Sequence, residues 1–252
     1  MLLQCVFQHK DELLPSGKVP DGVTEVPFEF LLRGNVDGEN QLWESYHGVY
    51  ISVVYIITAT CDRGMLKKSL KREIEFIVEI PQDSKPKSKS KEKDVAANIS
   101  ADPVEFNISP QTIENVDKSA LRNIPDFSIS GRLHRTLCSV NRPFTGEVNI
   151  LNSVSAIRSI ELQLARLESV VNISSSSGAF HQEASEVMRI QIGEGNLCRD
   201  MLVPIYMVFP RLHACPTLRT PMFKIEFEIN LIIIFDDGHV ITENFPIHII
   251  RD

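Results

Sequence analysis

The sequence of 252 residues is short of several things, and each shortage removes a class of function. It has no excess of positive charge: 26 lysines and arginines stand against 33 aspartates and glutamates, for a formal net charge of −7. Nucleic-acid binders draw much of their affinity from a basic face laid on phosphates, so that class is excluded. Long hydrophobic runs are missing too. The longest strongly apolar stretch, LIIIF (231–235), is far below the roughly 20 residues that a membrane-crossing helix needs. The five cysteines, Cys5, Cys61, Cys138, Cys198 and Cys215, are odd in number and include no CxxC pair. That pattern argues against a disulfide framework or a zinc site, and for reduced thiols in a cytosolic protein.

Chemistry-bearing motifs are equally scarce. The seven histidines include no HxH or HxxxH pair. No GxSxG elbow supplies a hydrolase nucleophile, and GEG (193–195) lacks the GK[ST] of a phosphate loop, so it reads as a turn. The acids on strands such as EIEFIVE fall on the wet positions. The single tryptophan, Trp43, reads as a core or loop anchor more readily than as a carbohydrate or peptide platform. MLLQCVF at the start is apolar but is followed at once by QHKDE, without a basic leader, so no secretory signal is expected. The N-x-S triplets at Asn98, Asn107 and Asn172 are then chance matches. No catalytic site, cofactor or metal is expected.

What the chain has is alternation. In FKIEFEINLII, Phe223, Ile225, Phe227, Ile229, Leu231 and Ile233 share one face, while Lys224, Glu226, Glu228 and Asn230 share the other. A period of two predicts a strand with one buried and one wet face. Asp237-Gly238 predicts a hairpin turn, after which VITENFPIHII returns. EIEFIVEI, PVEFNI and DFSISGRL alternate likewise. SIELQLARLESV starts on beat and slips at Leu167, which predicts a bulge there. PQTIENVDKSAL is the best helix candidate. QDSKPKSKSKEKDVAAN (82–98) has no apolar period and predicts a solvated linker.

The two sides of that linker echo each other. TEVPFEFLL (24–32) precedes a long strand, HGVYISVVYIITATC, then a turn and REIEFIVEI. MLVPIYMVF (201–209) precedes FKIEFEINLIIIF, the DDGH turn and VITENFPIHII. The expected architecture is all-β, a tandem of two β-sandwiches. WESYHGVYISVVY, PVEFNISPQTIENV, AIRSIELQLARLESV, VPIYMVFPRLHACPTL and HVITENFPI resemble the arrestin-like subunits of endosomal retrieval complexes, the vacuolar protein sorting twenty-six family, and within it the retriever branch. The resemblance runs from about residue 14 to the end. Members carry a longer segment before the Val-Pro strand, so the first sandwich (1–81) is expected to be incomplete at its N-terminus. A lysine- and serine-rich linker (82–101) and a complete second sandwich (102–252) follow.

The resemblance implies a non-enzymatic subunit, cytoplasmic and endosome-associated. It supports recycling of membrane proteins such as integrins to the cell surface. Its implied partners are an α-solenoid scaffold, a metallophosphoesterase-like small subunit and, indirectly, a sorting nexin holding cargo tails; membrane attachment is peripheral, through partners. The scaffold-binding stretch it implies is RIQIGEGN, with Ile192 and Ile190 as apolar anchors, Gly193 as turn former and Glu194 beside it. The same two isoleucines could instead face the core. The loop RLHACPTLRTP, with Arg211 and Arg219, is the second candidate. Rival readings are an arrestin-domain receptor adaptor, for which no PPxY motif is present, a β-sandwich hydrolase or carbohydrate-active enzyme, and a truncated, non-functional product.

Overall fold

The computed structural model describes residues 8–32, 42–63, 67–80, 100–113, 124–171, 180–210 and 214–252. All regular structure among them is β. The first half holds β1 (Tyr46–His47), β2 (Ser52–Val53), β3 (Tyr55–Cys61) and β4 (Leu70–Phe76). The second holds β5 (Val104–Ile108), β6 (Phe127–Leu133), β7 (Leu137–Ser139), β8 (Phe144–Ser153) and β9 (Ile157–Val171). It continues with β10 (Phe180–Glu194), β11 (Leu202–Met207), β12 (Leu218–Arg219), β13 (Phe223–Phe235) and β14 (Val240–Ile250).

The second half is a sandwich of two facing sheets. One sheet runs β10-β9-β13-β14-β7 with β12 on β13, and the other runs β11-β8-β6-β5. The period-two strands do what their pattern dictates. Phe127 and Ile129 of β6, Phe144 and Val148 of β8, and Ile229, Leu231 and Ile233 of β13 are sealed between the sheets. Phe127 and Phe235 meet across the core at 5.4 Å between ring centroids. Each such side chain contributes roughly 1.5–3 kcal/mol by leaving water. The hairpin falls at the expected turn: Gly238 has φ 94°, and Phe235 N–H donates to the carbonyl of His239 at 2.9 Å.

β9 departs from the expectation. Its pairing with β13 is unbroken from Ser159 to Val170, so Leu167 marks no bulge. Arg166 and Glu168 instead stay on the inner face, opposite Phe227 and Ile225, and are 6% and 2% exposed. The alternation looks broken because the buried positions there carry a guanidinium and a carboxylate. They are covered by the first half rather than by the facing sheet. Glu168 accepts the Tyr46 hydroxyl proton, the Val49 N–H at 3.2 Å and the Tyr50 N–H at 2.6 Å. Arg166 lies 5.5 Å over the Tyr46 ring, with its Nε 3.5 Å from Glu168 Oε1. The approach is close enough to require glycine between the donors: a Cβ at Gly48 would stand 1.7 Å from Glu168 Oε1. A second tie joins Arg251 to Glu44 through bonds of 2.9 and 3.1 Å, with Ile80 N–H also donating to Glu44 at 2.9 Å.

The first half is slighter than expected. TEVPFEFLL forms no strand: residues 24–32 have no ladder partner, and Pro27 has no N–H to offer one. The phrase therefore matches MLVPIYMVF in wording but not in structure. HGVYISVVYIITATC is not one strand; it breaks at Val54 between β2 and β3. β4 ends at Phe76, short of the expected EIEFIVEI, where Val78 turns to bond Ser45. Of the buried apolar side chains among the described residues, only Tyr46, Ile51, Val53 and Tyr55 precede Ile108. Val23, Leu31, Ile56, Ile74 and Ile77 are all more than half exposed. Residues 110–113 of the helix candidate lie in and just after a turn, and the rest of it, 114–121, falls outside the described residues. So does nearly all of the lysine-rich linker, at 81–99.

Three outcomes follow from this packing. Phe127→Ala should destabilise the second half by about 3–5 kcal/mol, read from chemical denaturation, because the site is sealed on both sides. Gly48→Ala should speed limited proteolysis of the first half, raise binding of an apolar dye and lower the melting temperature, because Glu168 loses its donors. Alkali should also weaken the fold: burial pushes the Cys138 and Cys215 thiols up to about 12 from an ordinary 9. The unfolded thiols ionise first, so this stability is complete below pH 9 and lost as pH rises towards 12. Cys138→Ala should flatten the fall of melting temperature across that range; an unchanged slope would refute the assignment.

Candidate functional site

The C-terminal end of β10 and the turn after it form a braced, partly apolar knob. A register shift between Gln191 and Gly193 makes Ile192 the extra residue of a bulge. Gly193 fits because a Cβ there would meet Leu197 Cδ1 at 2.6 Å. It is not the turn former, however. That role falls to Gly195, with φ 74°, whose N–H donates to the Arg158 carbonyl at 2.8 Å. Arg199 ties the loop down: it donates to the carbonyls of Leu197 at 2.6 Å and Ser153 at 3.2 Å, and to Asn196 Oδ1 at 3.1 Å. Glu194, Gly195 and Asn196 are exposed, while Ile190 and Ile192 are half-buried against the core. The isoleucines thus lie under the turn as its support.

Around this turn stand apolar side chains that sequence reasoning missed. Val154, Leu202, Met201 and Leu151 are 74%, 58%, 47% and 42% exposed. Arg199 binds the residue before Val154, and Asp200 N–H donates to the Ile150 carbonyl at 3.0 Å, so all four gather at one end of the sandwich. No periodicity marks them, because their exposure is set by where the sheets end. Such a surface can bind a partner by burying apolar area around a rigid polar turn.

The second candidate loop does not join it. Arg211 lies outside the described residues. Arg219 sits in β12, held by Glu226 at 2.7 Å and partly buried. It pairs with Lys224, which faces Ser169, whereas Glu194 faces Ser159. Ten residues of strand separate those rows, about 33 Å. One compact surface cannot hold both.

The opposite end holds a cleft of about 740 Å³ between residues 8–32, β2–β3 and the edge formed by Val170, Met222 and Phe223. Trp43 forms part of its wall and packs edge-on against Phe223 at 5.1 Å, which makes it the anchor expected of it. Outside the cleft, the buried Tyr46 hydroxyl and the buried thiols are suited to holding rather than reacting. Burial, reinforced by the bond to Glu168, drives the Tyr46 hydroxyl far above its ordinary value, so it stays a donor. The buried thiols are likewise held protonated, without the thiolate that nucleophilic attack needs. Among the described residues no three His, Cys, Asp or Glu side chains gather as a metal site.

Comparison with known proteins agrees with this picture of a binding scaffold. The family model described as "Vacuolar protein sorting-associated protein 26" matches residues 3–238. Vacuolar protein sorting-associated protein 26C of Dictyostelium discoideum is 40% identical over 236 residues, covering 93% of this chain and 73% of that protein. Among solved structures, the sporulation control protein Spo0M of Bacillus subtilis superposes with a TM-score of 0.40 at 14% identity, over 49% of each chain. By sequence match along nearly its whole length, the chain belongs to the Vps26 family of arrestin-like protein-sorting subunits.

Proposed function

We propose that this chain is a non-enzymatic subunit of a retriever-type endosomal retrieval complex. It works as a trafficking adaptor, cytoplasmic and bound to endosomes through its partners. Its role is to support the return of membrane proteins such as integrins to the cell surface. The observation that carries the reading is the 40% identity to a Vps26C protein across 93% of the chain. An assembly role also fits the exposed turn at Glu194 to Asn196, which Arg199 holds rigid.

The scaffold, a long α-solenoid, docks in this reading on the knob at the end of β10. Glu194, Gly195 and Asn196 form its polar crest, Val154, Met201 and Leu202 its apolar flank, and Ile190 and Ile192 its support. This surface lies wholly in the second sandwich, away from the slight first half. The metallophosphoesterase-like subunit joins through the scaffold, and a sorting nexin supplies cargo tails.

Affinity capture of the intact chain from cytosol, followed by mass spectrometry, should recover the solenoid scaffold and its phosphoesterase-like partner; chaperones alone would overturn the reading. Ile192→Asp should abolish scaffold capture while the second sandwich still melts cooperatively, and capture by the folded variant would sink the assigned surface. Arg199→Ala should weaken capture about tenfold by freeing the turn, with the melt little changed.

A further inference from the structure

The edges of the second sandwich are not alike. On the free edge of β11, Pro204 sits mid-strand and removes a donor. β7 has three residues and β5 five, each too short to hold much of a guest strand. β10 has fifteen, and no described strand pairs with its outer side. Its two register shifts both fall between Glu186 and Gly193. Residues 180–186 are therefore a regular, unblunted edge.

The backbone direction of that edge follows from one hydrogen bond. Val171 N–H donates to Met222 on the β13 side at 2.9 Å, so in β9 the odd residues face β13 and the even ones face β10. The same parity turns the missing N–H of Pro246 away from β13, as it must. His181, Glu183 and Ser185, opposite Val170, Glu168 and Arg166, thus spend their backbone groups on β9. Phe180, Gln182, Ala184 and Glu186 present theirs outward.

Charge selects the guest. Glu183 stands directly opposite Glu168 on the same face, a like pair that weakens a sheet. Glu186 lies on the other face, near Glu161. Against these four carboxylates stand three cations: Arg166 beside Glu168, Arg189 shared between Glu186 at 3.3 Å and Glu161 at 3.1 Å, and Lys224, whose Nζ lies 4.5 Å over the Phe180 ring, so the edge keeps a negative excess of one. His181, 3.1 Å from Glu183, adds charge only when protonated.

We propose that residues 180–186 of β10 accept an extended basic segment of a partner protein as an added antiparallel strand. The guest places one basic side chain opposite Glu186 and a second, three positions on, opposite Glu183, one on each face. Between them, opposite the small Ala184, it places a bulky apolar side chain. Outward N–H and C=O groups supply the ladder, and the carboxylates supply the register. This surface is distinct from the scaffold knob and stands or falls without it.

The test uses the intact chain and a labelled peptide, Lys-Thr-Leu-Lys-Thr-Thr-Val, with Glu-Thr-Leu-Glu-Thr-Thr-Val as its charge-reversed control, read by fluorescence anisotropy. The basic peptide should bind at least about tenfold tighter than the control, and Glu183→Lys should erase or invert that preference. Ala184→Pro should weaken binding about tenfold without altering the melt, since it removes an outward donor and spares the β9 ladder. Gln182→Pro is the equivalent variant should Ala184→Pro fail to fold. On wild-type protein, hydrogen exchange should slow at the amides of Phe180, Gln182, Ala184 and Glu186 when peptide binds. No anisotropy change up to about 1 mM peptide, equal binding of the two peptides, or protection confined to other residues would overturn the proposal.

Discussion

A carboxylate buried to 2% exposure survives in a fold only where donors close around it, and Glu168 is such a group. Its donors are the Tyr46 hydroxyl and two consecutive backbone amides, and all three come from a segment about 120 residues earlier. The arrangement works in both directions. The sheet cannot bury that end of β9 without the segment, and the segment has no core of its own without the sheet. Removing either partner would leave a buried polar group unpaired, which costs more than the bonds contribute when made. The rest of the first half, with its exposed Ile56, Ile74 and Ile77, hangs from this junction and from the Arg251–Glu44 tie.

The same junction explains how the surfaces are distributed. β9, β10 and β13 are long enough to serve two tasks. Their Ile157–Leu164 side closes on the four-stranded sheet and builds the hydrophobic core. Their Arg166–Val171 side projects beyond it and receives the first half. The knob of Glu194 to Asn196 therefore sits under the well-packed portion and presents a rigid surface. The cleft beside Trp43 sits under the lightly packed portion.

Strands that bury one whole face were legible in the sequence, because each residue's place in the period fixes its environment: β6, β13 and β14 fell where their alternation put them. β9 misled at Leu167 because its inner face changes covering partway along, from Leu and Ile neighbours to the Tyr46 segment. No local pattern announces a contact made so far away in sequence. TEVPFEFLL misled for a related reason: alternation shows that residues could form a strand, but a ladder needs a neighbour. The resemblance pointed to the stretch Ile190 to Glu194, but not to how its residues are placed. Which glycine turns the chain was not, since Gly193 and Gly195 are identical letters that differ only in φ and in what lies beside them. Val154, Met201 and Leu202 were invisible because apolar letters say nothing of where a sheet ends.

The three long strands also act as a ruler. Fifteen residues of β9 span about 50 Å with no proline and no break in its β13 ladder over most of that length. The distance between the two ends is thus counted in residues, and the count has parity. Shortening β9, β10 and β13 by two residues each would bring the ends about 7 Å closer and leave every side chain on its own face. Shortening them by one, with no bulge to absorb the step, would turn Glu168 outward and Leu167 inward.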